Sequence, residues 1–442
     1  MMKNMTTGNI PKHLVSFSIP LILGNLFQLT YNAVDSIVVG QFAGLDSLAA
    51  VGTANPVMNI VILGITGICI GASVLMSKFF GAKDSEKLKK TLATTLVFGS
   101  IFSLVIVVLG LVLSEPLLKL LAVPEEILDK ATLYLRIIFL GMPFTYLYNA
   151  YSAAMRSVGD AKTPVRFLAI ASVLNGCLDL VFVAGLHMDV GGAGLATLIA
   201  EGVSGLLCVI YVHKKVPFLA LSRKELKLDA SILCLTLKNG SVTALQQACQ
   251  PIGKLLIQGV INPLGIDSIA AFNAVSRVDD FAFTPEQSVS HSMMTFVAQN
   301  RGAGQKERMK KGFRDGLLVE LAYWLIICVV ILVFRKPIMQ LFVSEKSFGM
   351  INIGVGYLTL MAFFYILPAF TNGVQGFFRG MGHMKITLVG TIIQISLRVV
   401  FVYLLVPKMG LIAVAYASLI GWVCMLLVEI SYYFLQKKSM SL

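Results

Sequence analysis

The sequence predicts an all-α integral membrane protein, with about twelve transmembrane helices arranged as two parallel six-helix lobes. Three observations carry that prediction. Of the 442 residues, 57% are hydrophobic and only 13% charged, against roughly half and about a quarter in soluble domains. The apolar residues gather in runs of roughly 20, enough for a helix to cross a hydrocarbon core about 30 Å thick, and they lack the alternation of an outer-membrane barrel. Motifs of the first half also return in the second. GLDSLAA at 44–50 reappears as GIDSIAA at 265–271, GAKDSEKLKK at 81–90 as GAGQKERMKK at 302–311, and RSVGDAK at 156–162 as RGMGHMK at 379–385.

The first run, centred near Phe27, contains Pro20 and Asp35. Proline has no N–H and disrupts a mid-helix turn, so Pro20 marks a bend, either a hinge or a static kink. Asp35 precedes the loop at Gly44 by about nine residues, which places it roughly 13 Å below the outer surface at ~1.5 Å per residue. A charge facing lipid at that depth is unfavourable by about 3 kcal/mol, so Asp35 must face protein or water and have partners. Runs near Leu63, Ile106 and Phe144 follow. The fifth, near Val173, supplies Asn175 and Asp179, four apart and therefore on one helical face. The sixth, near Leu206, supplies Thr197 and, one turn on, Glu201 as an accessory candidate. Asp35, Asn175, Asp179 and Thr197 offer oxygen alone, which suits Na⁺ or a proton and poorly suits zinc or copper. The plain alternative is that they are hydrogen-bonding groups between packed helices.

A polar stretch at 214–228 separates an N-lobe, 1–213, from a C-lobe, 229–442. The second lobe's runs centre near Gln247, Phe283, Ile327, Phe364, Ile393 and Val423. Lys254, Arg277, Asp279, Asp280 and Arg398 lie within them, and charges at such depth should pair with each other. They form either a network that holds the lobe together or the lining of a substrate cavity. The seven cysteines occur singly in apolar runs and read as small core residues, outside any disulfide or metal site.

The net charge of +13 is distributed by side rather than clustered for nucleic acid. The N-terminus, the alternate loops and the C-terminus, from Lys3 to Lys438, hold about 25 Lys and Arg, and the opposite loops about 6, including Lys346. Both termini are therefore expected in the cytoplasm, with Lys87 and Arg308 in equivalent inside loops. The first run leads into Asp35 with no small-residue cleavage site, so the first helix is expected to stay in place. No P-loop, HExxH or convergent nucleophile is present, which argues against an enzyme and leaves an ion gradient as the energy source, with no cofactor.

The stretches PLILGNLFQLTYNAVDSIVVGQFAG (20–44), MRSVGDAKTP (155–164), NGCLDLVFVAGLHMDVGGAGLATL (175–198) and FRGMGHMK (378–385) resemble the multidrug and toxic compound extrusion (MATE) family along essentially the whole chain. The resemblance implies a cation site at Asp35, Asn175, Asp179 and Thr197, and a family proline matched by Pro20. It also implies a secondary antiporter of the inner membrane that exports organic compounds in exchange for Na⁺ or H⁺. That reading takes small molecules and the bilayer as partners and the monomer as the working unit. A flippase for lipid-linked precursors, from the same superfamily, is the competing transporter. Some members carry a glutamate in the seventh span and an aspartate in the tenth. Here Gln246, Gln247 and Lys254 stand in the seventh and no carboxylate in the tenth, so a C-lobe cation site of that kind is not expected.

Overall fold

The computed structural model describes residues 4–342 and 348–436, and it is all-α. Its helices are α1 (Ile10–Val38), α2 (Leu45–Gly81), α3 (Ser85–Leu120), α4 (Glu125–Ser157), α5 (Lys162–Asp179) and α6 (Asp189–Lys215) in the first half. The second half holds α7 (Ala230–Ile261), α8 (Ile266–Gly302), α9 (Lys306–Gln340), α10 (Phe348–Phe364), α11 (Ile366–Gly380), α12 (Met384–Met409) and α13 (Ile412–Gln436). Each of the twelve apolar centres falls within a helix. The basic residues Lys3, Lys437 and Lys438, and Lys346 of the opposite side, lie outside the described residues.

Among the described residues, eight helices are long and apolar enough to cross a membrane, or nine when the bent pair α10 and α11 is taken as one span. The remaining three expected spans, α4, α7 and α8, are more polar; α8 alone contains Arg277, Asp279, Asp280 and Glu286. The pair α10 and α11 meets at 41°, a break that the continuous apolar run around Phe364 does not reveal. Pro368 explains it, because it cannot donate to the carbonyl of Phe364, the last residue of α10.

The repeat is visible in the geometry. α2 and α8 are both 37 residues long, and each is preceded by a glycine at positive φ, Gly44 at 88° and Gly265 at 91°. That conformation strains any side chain, which explains why both copies of the GxDSxAA motif begin with glycine. α3 and α9 match in another way. Ile101, Leu104, Val105, Val108 and Val112 are exposed along one face of α3, and Leu325, Ile326, Val329, Val330 and Val333 along one face of α9. Apolar stripes left uncovered over several turns are the faces a bilayer covers.

The chain packs as two compact units, and their limits differ from the halves of the repeat. The first contains residues 20–244 with Asn4; the second contains residues 5–19 and the described residues from 245 on. The division of α1 falls at Pro20. Within the second unit, Ser292 Oγ donates to Leu14 O at 3.0 Å, Met5 N donates to Gln299 Oε1 at 3.0 Å, and Arg308 Nη2 donates to Thr7 O at 3.0 Å. Within the first, the start of α7 lies directly on α2, where a Cβ on Gly71 would fall 2.7 Å from Gly240 N. Hydrophobicity does not separate helices from lipid, so such small-residue contacts supply close packing.

The stretch 214–228 is docked rather than free. Lys89 Nζ pairs with Glu225 Oε1 at 2.9 Å, Asp229 N donates to Thr94 Oγ1 at 3.1 Å, and Leu219 is buried. All seven cysteines are unpaired, but only Cys69, Cys208 and Cys328 are buried. Cys177 and Cys234 are exposed, contrary to the core reading, because a helix face turned to lipid accepts a small weakly polar residue as readily as a core does.

Candidate functional site

Three helices of the first unit each present two polar residues one turn apart: Tyr31 and Asp35 on α1, Asn175 and Asp179 on α5, Thr197 and Glu201 on α6. The i,i+4 spacing puts each pair on one face. Thr197 joins the three helices, since its Oγ1 accepts from Asn175 Nδ2 at 3.3 Å and lies 3.2 Å from Tyr31 Oη. The carboxylates of Asp35 and Asp179 stand within hydrogen-bonding reach of each other. Tyr134 of α4 is buried in the same region.

Asn175 and Asp179 are 0% exposed, and Asp35 and Thr197 are 9% exposed. Asp35 Oδ1, Asn175 Oδ1 and both oxygens of Asp179 have no hydrogen-bond partner. Burying such oxygens unpaired costs several kcal/mol, on the order of 2–7 for a neutral group and more for a charge. Two carboxylates at this separation cannot both remain ionised without a cation or a proton between them. The amide of Asn175 is oriented by Thr197, which leaves its carbonyl oxygen free to join the carboxylates. The donor set is oxygen throughout and fits one hard monovalent cation. Among the described residues, no group of three or more His, Cys, Asp and Glu is placed to hold a metal.

The backbone departs from α-helix directly after Asp179 and one turn after Asp35. α1 continues as a π-helical turn at Val39–Ala43, and α5 as another at Leu180–Gly185. Such turns recur at functional positions because they re-aim side chains within a continuous helix.

All four predicted cation ligands are brought into one cluster. Glu201, the accessory candidate, lies one turn from Thr197 on the same face of α6, its Oε2 accepting from the hydroxyl of Thr145. Tyr31, Tyr134 and Thr145 were not foreseen, although Tyr31 was legible as the residue one turn before Asp35. In the second unit, Lys254 pairs with Asp280 at 2.9 Å, the hydroxyl of Tyr365 donates to Asp279, and Arg398 lies near Tyr357 and Asp279 without a hydrogen bond to the Tyr357 hydroxyl. Arg277, expected to pair, is exposed and joins no ion pair among the described residues, and Asp280, one turn on along α8, is paired with Lys254 instead.

Comparison with known proteins follows the same lines. The family model described as MatE matches residues 20–181 and again residues 243–404, a shift of 223 that reproduces the internal repeat. The probable multidrug resistance protein YpnP of Bacillus subtilis (strain 168) is 32% identical over 393 residues, 88% of this chain and 87% of its own. The FAD transporter of Shewanella oneidensis is 25% identical over 87% of this chain and 86% of its own. A crystal structure of MATE in the bent conformation superposes with a TM-score of 0.92 over 99% of this chain and 97% of that one, at 23% identity, a likeness of fold. Because one model recognises each half separately and a relative matches one residue in three along nearly its whole length, the chain belongs to the MatE family of membrane transporters.

Proposed function

We propose that the protein is a secondary active antiporter of the inner membrane, with both termini cytoplasmic, that exports organic compounds in exchange for Na⁺ or H⁺. The observation that carries this reading is the set of unpartnered oxygens of Asp35, Asn175 and Asp179, buried on two helices beside Thr197 of a third. Such a site binds a cation in one state and releases it in another, as coupling requires. Proton and Na⁺ compete there, since either one relieves the repulsion between the two carboxylates. Multidrug relatives support an organic substrate. The two repeat halves, with 214–228 between them, supply the lobes for alternating access, and Pro20 is the place where α1 yields. The test is transport of a fluorescent cation by proteoliposomes, driven separately by Na⁺ and proton gradients. Asp35→Asn keeps the shape of the carboxyl but abolishes its charge change, so it should insert normally and lose gradient-driven transport. Near-normal transport by well-expressed Asp35→Asn would remove the coupling role.

A further inference from the structure

A second pair of acidic side chains, unused by that cycle, is enclosed in the second unit. Glu286 on α8 and Glu320 on α9 are both 0% exposed. Asn372 on α11 donates from Nδ2 to Glu286 Oε2 at 3.3 Å and to Pro368 O at 3.0 Å. Ser290 Oγ donates to Asn372 O at 2.6 Å and so fastens α11 to α8 beside the pair. Glu286 Oε1 is left without a partner. Independently, Glu320 reaches the same part of α11 from a third helix, its Cγ 3.6 Å from where a Cβ on Gly373, the neighbour of Asn372, would lie, and neither of its oxygens is hydrogen-bonded.

The groups around the pair supply no counter-charge. From α9 comes the phenol of Tyr323, from α8 the carboxylate of Asp279, and from the break before α11 the phenol of Tyr365. Among the described residues, Asn372 is the one hydrogen-bond partner of either carboxyl group, and it carries no charge. Two buried carboxylates facing each other in such surroundings must take up positive charge.

The fold does not require acids here. At the offset of 221 set by the flanking motifs, the first-repeat equivalents of Glu286 and Glu320 are Ile65 and Gly99, both buried. Asn372 corresponds at an offset of 223 to Asn149, so the amide occurs in both halves and the carboxylates in only one. The space is also small. A Cβ on Gly373 would lie 2.7 Å from Leu317 Cδ2 and 3.6 Å from Glu320 Cγ, and Met293 Cε would be 3.7 Å away. A hard metal cation needs several converging oxygens; the pair offers three unpartnered ones, all carboxylate, in close apolar packing, against four, one of them an amide oxygen, beside a hydroxyl in the Asp35 cluster.

We propose that Glu286, Glu320 and Asn372 form a second cation site, separate from the Asp35 cluster, whose ligand is a proton held between the two carboxyl groups. A proton on Glu320 donates to Glu286 Oε1 and converts two orphaned oxygens into one hydrogen bond, while Asn372 retains the other oxygen of Glu286. The site stands whether or not Asp35 couples transport.

The test is infrared difference spectroscopy of the full-length protein in liposomes during a pH step, in an Asp35→Asn, Asp179→Asn background that silences the first cluster. A protonated-carboxyl band should titrate in that background, disappear in Glu320→Gln, shift in Asn372→Leu, and remain unchanged on adding Na⁺. An identical spectrum with and without Glu320→Gln overturns the proposal, and so does displacement of the band by Na⁺, which would make the ligand a metal ion. Should Glu320→Gln fail to fold, Glu286→Gln and Asn372→Leu read the same band through its partners. A band that neither variant alters is equally fatal to it.

Discussion

Thr197 carries more of the first cluster than its size suggests, because one hydroxyl serves both the phenol of Tyr31 and the amide of Asn175. Thr197→Val removes that oxygen at nearly constant volume and leaves two buried polar groups unpaired, each at a cost of about 1–3 kcal/mol. The expected result in a thermal unfolding assay is a lower Tm and a smaller stabilisation by Na⁺, with Thr197→Ser restoring both. Asn175→Leu should leave the fold intact but abolish stabilisation by Na⁺, since a ligand bound only by the folded state raises stability by mass action. Unchanged stabilisation in Asn175→Leu would move the ion elsewhere. These residues were legible in the sequence because a carboxylate in an apolar run demands a partner and i,i+4 spacing fixes a shared face. Glu286 and Glu320 were equally visible as letters, yet they lie on different helices, and only knowledge of which helices adjoin makes them a pair.

At the scale of elements, two helices change unit along their length, α1 at Pro20 and α7 at Ala244. Pro20→Ala restores the missing N–H and removes a helix-interior proline that disfavours a straight helix by about 3 kcal/mol. The variant should unfold at higher temperature and transport more slowly; unimpaired transport would reduce Pro20 to a static kink. Run length and turn glycines made the helices legible, while the break at Tyr365 was not, since Pro368 reads in sequence like the prolines that α2 and α9 tolerate. The stretch 214–228 escaped in a similar way. It looks like a polar linker, but Ser222 N and Oγ donate to Glu225 at 2.7 and 2.9 Å, and Lys89 holds the same carboxylate. The backbone N–H of Ser222 first, then Lys89, hold the Glu225 carboxyl down at about 2, from an ordinary 4.5. A lowered folded-state value means the clasp is fully present above about pH 4.5 and lost as pH falls towards 2. Pepsin cleavage across 222–228 should therefore rise steeply below pH 4.5 in the unaltered protein, and Glu225→Gln should already show elevated hydrogen exchange there at about pH 7.

For the whole molecule, the repeat and the charge distribution make one claim together: equivalent loops of the two halves lie on the same side of the membrane. Six spans per half, as proposed, would require it, and the proposed orientation takes the side with the excess of Lys and Arg as cytoplasmic. Cysteine labelling in intact cells tests it, provided the probes are chosen from the packing. Arg308 is a poor choice, because its guanidinium donates to Met5 O and Thr7 O and its removal would loosen the N-terminal segment. Lys311 lies on the same side, in the first turns of α9, with its side chain exposed, and Lys87, the repeat equivalent of Arg308, is exposed in the first turn of α3. The exposed Cys177 and Cys234 are first replaced by serine, so that any labelling reports the introduced cysteine. In that background Lys87→Cys and Lys311→Cys should resist an impermeant thiol reagent until the cells are permeabilised, and Lys408→Cys, exposed before the turn at Gly410, should react at once. If Lys87→Cys and Lys311→Cys differ from each other, the halves do not share an orientation and the parallel repeat fails. If both react in intact cells while Lys408→Cys does not, the repeat stands and the charge rule has been read with the wrong sign.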